Sequence, residues 1–184
     1  MCAYENLIKS GIGNTHNLIT ELFIEFGEGN IGDDDLTFIM SDNLLINVGG
    51  NTYWDKINPN QYEIHINSKL LNTLSSIEYA AIIIHEIAHA SLKKHFYNSN
   101  GTFEELYQKY LELNNLVDYG HNIMEDRFIN RMATVLYNYD PTIFPYFDDY
   151  VILASQGVYD LPTIDYTLLE QIKTIARTNE KICE

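Results

Sequence analysis

The sequence predicts a single α+β domain over residues 1–184, in which the short strands of a small mixed sheet are followed by a series of helices. The chain has the length of one domain, and its hydrophobic content of 46% is sufficient for a full core. Tyr62, Ile64 and Ile66 alternate with polar residues, which predicts a half-buried strand. The segment 76–95 is apolar on nearly every side, as expected of a buried helix.

Local patterns predict several short elements in the first third of the chain. Residues 17–26 have helical spacing, and the acid- and glycine-rich segment 28–35 indicates a solvated turn. Leu36–Met40 and Leu44–Val48 have the composition of short strands. Gly49-Gly50-Asn51 then predicts a turn that leads towards the next strand.

The buried helix has a clear start signal. Ser75 is followed three residues later by Glu78, which is the spacing of a capping box. In this motif the glutamate side chain reaches back to the backbone N–H of the serine. The helix is therefore expected to begin near Ser76 and to continue towards His95.

Further helices are expected in the second half of the chain. Helical spacing predicts one helix over residues 101–114 and another over about residues 119–137. Asp140-Pro141 is expected to stop helix formation, because a proline disfavours the helical conformation in the residue before it. The remainder is expected to be ordered loop with a short final helix. The final helix is predicted from four apolar residues: Leu168, Leu169, Ile172 and Ile175.

The charge balance limits the classes of partner. The chain has 11 Lys and Arg residues against 26 Asp and Glu, for a net charge of −15. Lys93 and Lys94 form its only adjacent basic pair. Because a nucleic-acid-binding protein needs a basic surface to neutralise phosphates, neither nucleic acid nor an anionic membrane surface is an expected partner.

Cysteine content and hydropathy bear on the compartment. Cys2 and Cys183 lie at opposite ends of the sequence, and no Cys-x-x-Cys occurs, which excludes a cysteine-based zinc or redox site. The N-terminus lacks the basic start and apolar run of a signal peptide. The longest apolar run, Tyr79–Ile84, is too short to span a bilayer. We therefore expect a soluble protein that is cytoplasmic by default.

The motif that points to chemistry is His85-Glu86-Ile87-Ala88-His89, within the buried helix. Helix residues four apart lie on nearly the same face, so both histidines can reach one ion. Neutral imidazoles at this spacing suit Zn²⁺, and Glu86 flanks them in the position of a general base for an activated water. The alternative is simple packing, but two imidazoles and a carboxylate are costly to bury in an apolar helix unless they are satisfied.

A catalytic zinc needs a third protein ligand. The start of the helix predicted over residues 119–137 offers three candidates. His121 is preferred and would complete a three-histidine site. Asp126 is the first alternative and would give a His-His-Asp site, and Glu125 is a further alternative.

His95 is the remaining candidate for the third ligand. It completes the pattern His-Glu-x-x-His-x-x-Leu-x-x-His, which differs from a known zinc-binding pattern only by Leu92 in place of glycine. Glycine allows the chain to turn at that point, whereas with Leu92 the helix is expected to continue. His95 would then point about 80° away from His85 around the helix axis.

The combined order of these motifs resembles that of SprT-like metallopeptidases, which are common in Bacteroidetes and their phages. The resemblance covers roughly residues 60–170. It is carried by the following residues: Ile64-His65-Ile66-Asn67, Leu70-Leu71, Ile84 to Ala90, His121-Asn122-Ile123-Met124, Phe128, Leu136, Asp140, Leu153-Ala154, Gly157 and Thr163.

The resemblance implies a zincin-like fold: a small mixed sheet with an edge strand packed on a buried active-site helix, and a second helix that carries a ligand. In zincins the strand before the active-site helix is the edge to which substrate backbone is added. The family's third histidine corresponds to His121, although the family has glycine at the position of Asn122. Some SprT-like proteases act on DNA-bound proteins through additional DNA-binding regions, and this acidic chain has no such region.

Together these observations predict a zinc metallopeptidase with one Zn²⁺ per chain and a peptide or protein substrate. A backbone group or a tyrosine is expected to stabilise the oxyanion, and the candidate tyrosines are Tyr119, Tyr146, Tyr150 and Tyr159. The alternative is a non-catalytic zinc-binding domain of zincin-like fold, associated with a phage or a secretion system. The intact Glu86 favours catalysis, since a purely structural site needs no base.

Overall fold

A three-stranded mixed sheet in the order β1-β3-β2 forms one layer of the computed structural model. The strands are β1 (Leu36–Ser41), β2 (Gly50–Trp54) and β3 (Tyr62–Asn67). The central strand β3 is parallel to β1 and antiparallel to β2. Its residues Tyr62, Ile64 and Ile66 are buried, which confirms the predicted half-buried strand.

After the sheet, the described part of the chain contains four helices whose bounds are defined. A short 3₁₀ helix, Ser68–Leu70, connects β3 to the first of them. The helices are α1 (Ser76–His95), α2 (His121–Tyr139), α3 (Phe147–Ser155) and α4 (Tyr166–Asn179). The predicted starts and ends of α1 and α2 are confirmed within two residues. None of the described helices is both long enough and apolar enough to cross a membrane.

The structure describes residues 18, 36–54, 61–95, 105, 109, 112–113, 121–156 and 165–179. Most of the predicted helices over residues 17–26 and 101–114 lies outside these residues, as do the predicted turn over residues 28–35 and the two cysteines.

Helix α1 lies in the centre of the protein, which explains its nearly uniform apolar character. One side contacts β2 and β3, and other sides contact α2, α3 and α4. Ile77, Ile84 and Ile87 are completely buried along it. Met132 and Leu136 of α2 are also fully buried in the same core. Truncation of one such side chain to alanine costs about 2–5 kcal/mol, so the core holds α1 firmly against the sheet.

The predicted capping box is present at the start of α1. The backbone N–H of Ser75 donates to Oε2 of Glu78 at 2.7 Å, and the Ser75 hydroxyl donates to the same oxygen at 2.8 Å. Arg177 of α4 forms a bidentate ion pair with Glu78, in which Nε donates to Oε2 at 3.0 Å and Nη2 donates to Oε1 at 2.7 Å. The cap of α1 is thereby joined to α4.

The strand predicted over Leu44–Val48 is wrong, and the second strand begins at Gly50 instead. Side chains satisfy three carbonyl groups of this segment: Asn67 Nδ2 donates to the carbonyls of Leu45 and Val48, and Lys69 Nζ donates to that of Leu44. With its carbonyls bonded to side chains, the segment forms a loop despite its apolar composition. The turn predicted at Gly49-Gly50-Asn51 is also wrong, because Gly50 and Asn51 already belong to β2.

Two further expectations need correction. The strand that precedes α1 is the central strand rather than an edge strand, because β2 pairs with its other side. The edge strand that packs against α1 is β2. Helix α3 was expected to be loop. Its nine residues carry an apolar run without helical spacing, and burial of Tyr150, Leu153 and Ala154 stabilises the helix.

Candidate active site

The two histidines of the motif converge on one face of α1. Nε2 of His85 lies 2.9 Å from Nε2 of His89, and the two rings meet nearly edge to face with centroids 4.6 Å apart. Burial lowers the pKa of His85 to about 4. Burial, with the neighbouring charges of His85 and Lys93, lowers that of His89 to about 3. Both imidazoles are therefore neutral at pH 7, which is the form that binds a metal ion.

This donor pair fits zinc. Two nitrogen ligands at 2.0–2.1 Å from a tetrahedral ion lie about 3.3 Å apart, so a change of a few tenths of an ångström would admit the ion between them. Neutral imidazole nitrogens are also among the preferred ligands of Zn²⁺. Within the described part of the chain, no third His, Cys, Asp or Glu side chain joins the pair to form a metal-binding group.

The candidates for the third ligand are placed only by their backbones. His121 is the first residue of α2, Glu125 and Asp126 follow one turn later, and α2 contacts α1. Their side chains lie outside the described part of the structure. His95 is the last residue of α1, as expected with Leu92 in the sequence, and its side chain is also outside the described part.

Glu86 is buried between α1 and β2, with a relative exposure of 6%. Burial raises the pKa of its carboxyl group to about 7, and a hydrogen bond from Thr52 partly opposes this shift. The Thr52 hydroxyl lies 2.7 Å from Oε2 of Glu86 and 2.9 Å from its backbone carbonyl oxygen. Thr52 therefore fixes one carboxylate oxygen relative to the helix that carries both histidines.

The close approach of β2 to Glu86 depends on glycine. A Cβ atom added to Gly50 would lie 2.8 Å from Cγ of Glu86, 3.1 Å from its Oε1 and 3.0 Å from Cγ2 of Ile82. A Cβ atom on the preceding Gly49 would meet only Ile82, at 2.7 Å from Cδ1. Close packing, rather than a turn, thus explains why these two residues are glycines.

A cation–π contact lies further along the same two elements. The ammonium nitrogen of Lys93 is 4.2 Å from the centroid of the Trp54 ring. Lys93 follows His89 by one helical turn, and Trp54 follows Thr52 by two residues on β2. Burial lowers the pKa of Lys93. The pair therefore continues the contact between β2 and α1 beyond the residues of the motif.

Sequence reasoning missed Thr52, Gly50 and Trp54. Their alternation along residues 50–54, which places all three on one face of a strand, is the signal that could have identified them. The sequence pattern instead favours the apolar run before them as the strand. Lys93 stands out in the sequence only as half of a basic pair.

Two of the tyrosine candidates for stabilising the oxyanion, Tyr146 and Tyr150, lie within the described residues. The Tyr150 hydroxyl donates to the carbonyl of Asp140 at 2.7 Å and accepts from the N–H of Phe144 at 3.2 Å. Tyr150 thus has a structural role in joining α2 to α3, and its side chain is fully buried. Tyr146 is 71% exposed just before α3. Tyr119 and Tyr159 lie outside the described residues.

No family model, curated protein or solved structure matches this chain. The α+β class and the geometry around His85, Glu86 and His89 are therefore interpreted from the chain's own residues.

Proposed function

We propose that this protein is a zinc-dependent metallopeptidase. The observation that carries the proposal is the convergence of His85 and His89 at 2.9 Å, with the buried carboxylate of Glu86 next to them on the same helix. The sequence resemblance to SprT-like metallopeptidases supports the same class. In the proposed site His85 and His89 hold zinc, with His121 as the third ligand and Asp126, then Glu125 and His95, as its alternatives.

Zinc, when bound, supplies a Lewis acid that polarises the scissile carbonyl and makes water a better nucleophile. The protein's own contribution is the transfer and positioning of protons. Glu86 accepts the proton of the attacking water and delivers it to the leaving amine. Thr52 holds Oε2, which leaves Oε1 as the oxygen for this transfer.

The edge strand β2 supports a peptide as the substrate. Within the described residues, β2 pairs only with β3. In the proposal, an extended peptide adds as a further strand along the other edge of β2, through backbone N–H and C=O groups. Because Thr52 of β2 contacts Glu86, a peptide bound there lies close to the proposed catalytic groups.

Replacement of Glu86 by glutamine tests the proposal. Glu86→Gln keeps the size of the side chain and removes its ability to accept a proton. We expect the variant to retain zinc and to lose at least about 100-fold in peptide hydrolysis. A suitable assay is mass spectrometry of a protein digest treated with wild-type or variant protein, together with elemental analysis of both.

Glu63→Gln is a matched control, because Glu63 is an exposed carboxylate on the outer face of β3, next to His65. It should cleave at the wild-type rate. Hydrolysis retained in Glu86→Gln would contradict the role of the base. Bound zinc without wild-type hydrolysis would instead favour the non-catalytic alternative.

A further inference from the structure

Strand β2 and helix α1 run side by side past the candidate active site. A Cβ atom at Gly50 would touch Glu86 and Ile82, Thr52 contacts Glu86, and Trp54 contacts Lys93. Thr52 thus meets α1 at Glu86, and Trp54 meets it about two turns further along, at Lys93. The contact between strand and helix therefore runs from Glu86 towards Lys93.

Lys93 lies one helical turn beyond His89, on nearly the same face of α1 as that histidine. A step of four residues rotates a helical side chain by about 40°, so Lys93 is offset by about 40° from His89 and by about 80° from His85. The Lys93 side chain therefore projects from nearly the same face of α1 as His89, one turn further along the helix.

The surroundings of this ammonium group are unusual for so acidic a chain. The net charge is −15, yet among the described residues no carboxylate forms an ion pair with Lys93. The ammonium group instead lies over the face of the Trp54 ring. A ring face attracts a cation but satisfies none of its N–H donors in the way that an anion does.

We propose that Lys93 and Trp54 form a substrate-binding subsite for a carboxylate group of the peptide. This inference rests on the proposed peptidase function. The Trp54 ring fixes the position of the ammonium group, which then donates charge-assisted hydrogen bonds to the carboxylate. The carboxylate belongs either to an acidic side chain or to the free C-terminus of the peptide, and the test distinguishes these two sources.

Trp54 also provides the measurement, because it is the single tryptophan of the chain. Its fluorescence can be followed in the Glu86→Gln variant while peptides are added, without hydrolysis. The probes are three acetylated hexapeptides of alanine and leucine: an amidated peptide with one glutamine, the same peptide with glutamate in place of glutamine, and the glutamine peptide with a free C-terminus. Variants with the acidic residue at each position of the peptide locate the contact.

We expect one of the two carboxylate-bearing peptides to bind roughly tenfold more tightly than the neutral amide, as for one added charge-assisted hydrogen bond. Lys93→Met keeps the apolar stem against Trp54 and should remove this preference. Lys94→Met, one residue further along the helix, is the matched control and should keep the preference for the carboxylate-bearing peptide. Equal binding of all three peptides, binding of none, or a preference that survives Lys93→Met would overturn the inference.

The outcomes for subsite and function are separable. Cleavage of neutral and acidic peptides at equal rates would leave the peptidase proposal intact and remove the subsite. A Lys93-dependent preference in binding, combined with a wild-type protein that cleaves none of the peptides, would retain the carboxylate site and remove the peptidase proposal.

Discussion

The Thr52 hydroxyl donates a 2.7 Å hydrogen bond to Oε2 of Glu86, and this contact links the edge strand to the helix that carries both histidines. Thr52 and Glu86 are 34 residues apart in the sequence and both are buried. Because Glu86 follows His85 directly, the contact also determines how the carboxylate is oriented relative to the proposed zinc ligands. It is the most direct structural support for the placement of the proposed base.

Replacement of Thr52 by valine should impair the proposed base without loss of the metal. Valine has nearly the same shape but no donor, so the carboxylate loses its fixed orientation. We expect kcat to fall roughly 10- to 100-fold, in line with about 1.5–3 kcal/mol for a hydrogen bond to a charged group. KM and zinc content should change little. Thr52→Ser restores the hydroxyl and should recover most of the activity, and a serine variant as poor as the valine variant would contradict this role.

Substitution at Gly50 should act on the same carboxylate by steric displacement. The new methyl group of Gly50→Ala would lie 2.8 Å from Cγ of Glu86, so the glutamate must move. A misplacement of this kind is expected to lower kcat roughly 10- to 100-fold. Gly49→Ala is the control, since its methyl group presses on Ile82 instead. Equal losses of activity in both variants would indicate general disruption of β2.

The metal-free protein should show opposing pH effects from the histidines and from the glutamate. The pKa values of His85 and His89 fall from 6.5 to about 4 and about 3, so the stability they contribute is present above pH 6.5 and is lost as the pH decreases towards those values. The pKa of Glu86 rises from 4.5 to about 7, so its contribution is present below pH 4.5 and is lost as the pH increases through 7.

Thermal unfolding of metal-free variants at pH 7 and pH 5 measures both contributions. The decrease in Tm on acidification should be smaller in a His85→Gln, His89→Gln double variant than in the wild type. The decrease in Tm should be larger in Glu86→Gln, because this variant lacks the opposing contribution of the Glu86 carboxyl group. Three parallel profiles would show that burial does not shift these pKa values as described.

The ion pair between Arg177 and Glu78 should stabilise the fold rather than affect catalysis. The Glu78 side chain is 3% exposed and that of Arg177 is 41% exposed, so solvent weakens the pair only in part. We expect Arg177→Met to lower the free energy of unfolding by about 1–3 kcal/mol, because a buried carboxylate loses two donors. Glu170→Gln disrupts the ion pair with Lys173, in which the carboxylate is 64% exposed. This change should lower the free energy of unfolding by less than about 0.5 kcal/mol. Similar urea-unfolding curves for both variants would contradict this distinction.

Local signals in the sequence predicted much of the fold. The alternation at Tyr62–Ile66, the capping box at Ser75 and Glu78, and the stop at Asp140-Pro141 all correspond to observed ends or faces of elements. Each of these signals depends on residues within a few positions of one another. Their structural consequence therefore does not require knowledge of the tertiary fold.

The errors arose where distant residues determine the structure. Asn67 holds the carbonyls of the 44–48 loop from about twenty positions away, so an apolar run that resembles a strand becomes a loop. Likewise, the sequence places Glu86 beside the histidines, but the role of Thr52 follows only from the pairing of β2 with β3 and its packing against α1. Helical periodicity alone could identify His85 and His89 as a pair, because both lie on one helix.

The zinc content of the purified protein tests the central claim most directly. Elemental analysis should find about one zinc per chain in the wild type and almost none in His89→Ala, because the metal loses one of its two motif ligands. Loss of zinc in His121→Ala but not in Asp126→Ala would identify His121 as the third ligand, and the reverse result would identify Asp126. A wild-type protein that holds no zinc, even after incubation with the metal, would contradict the proposed metallopeptidase.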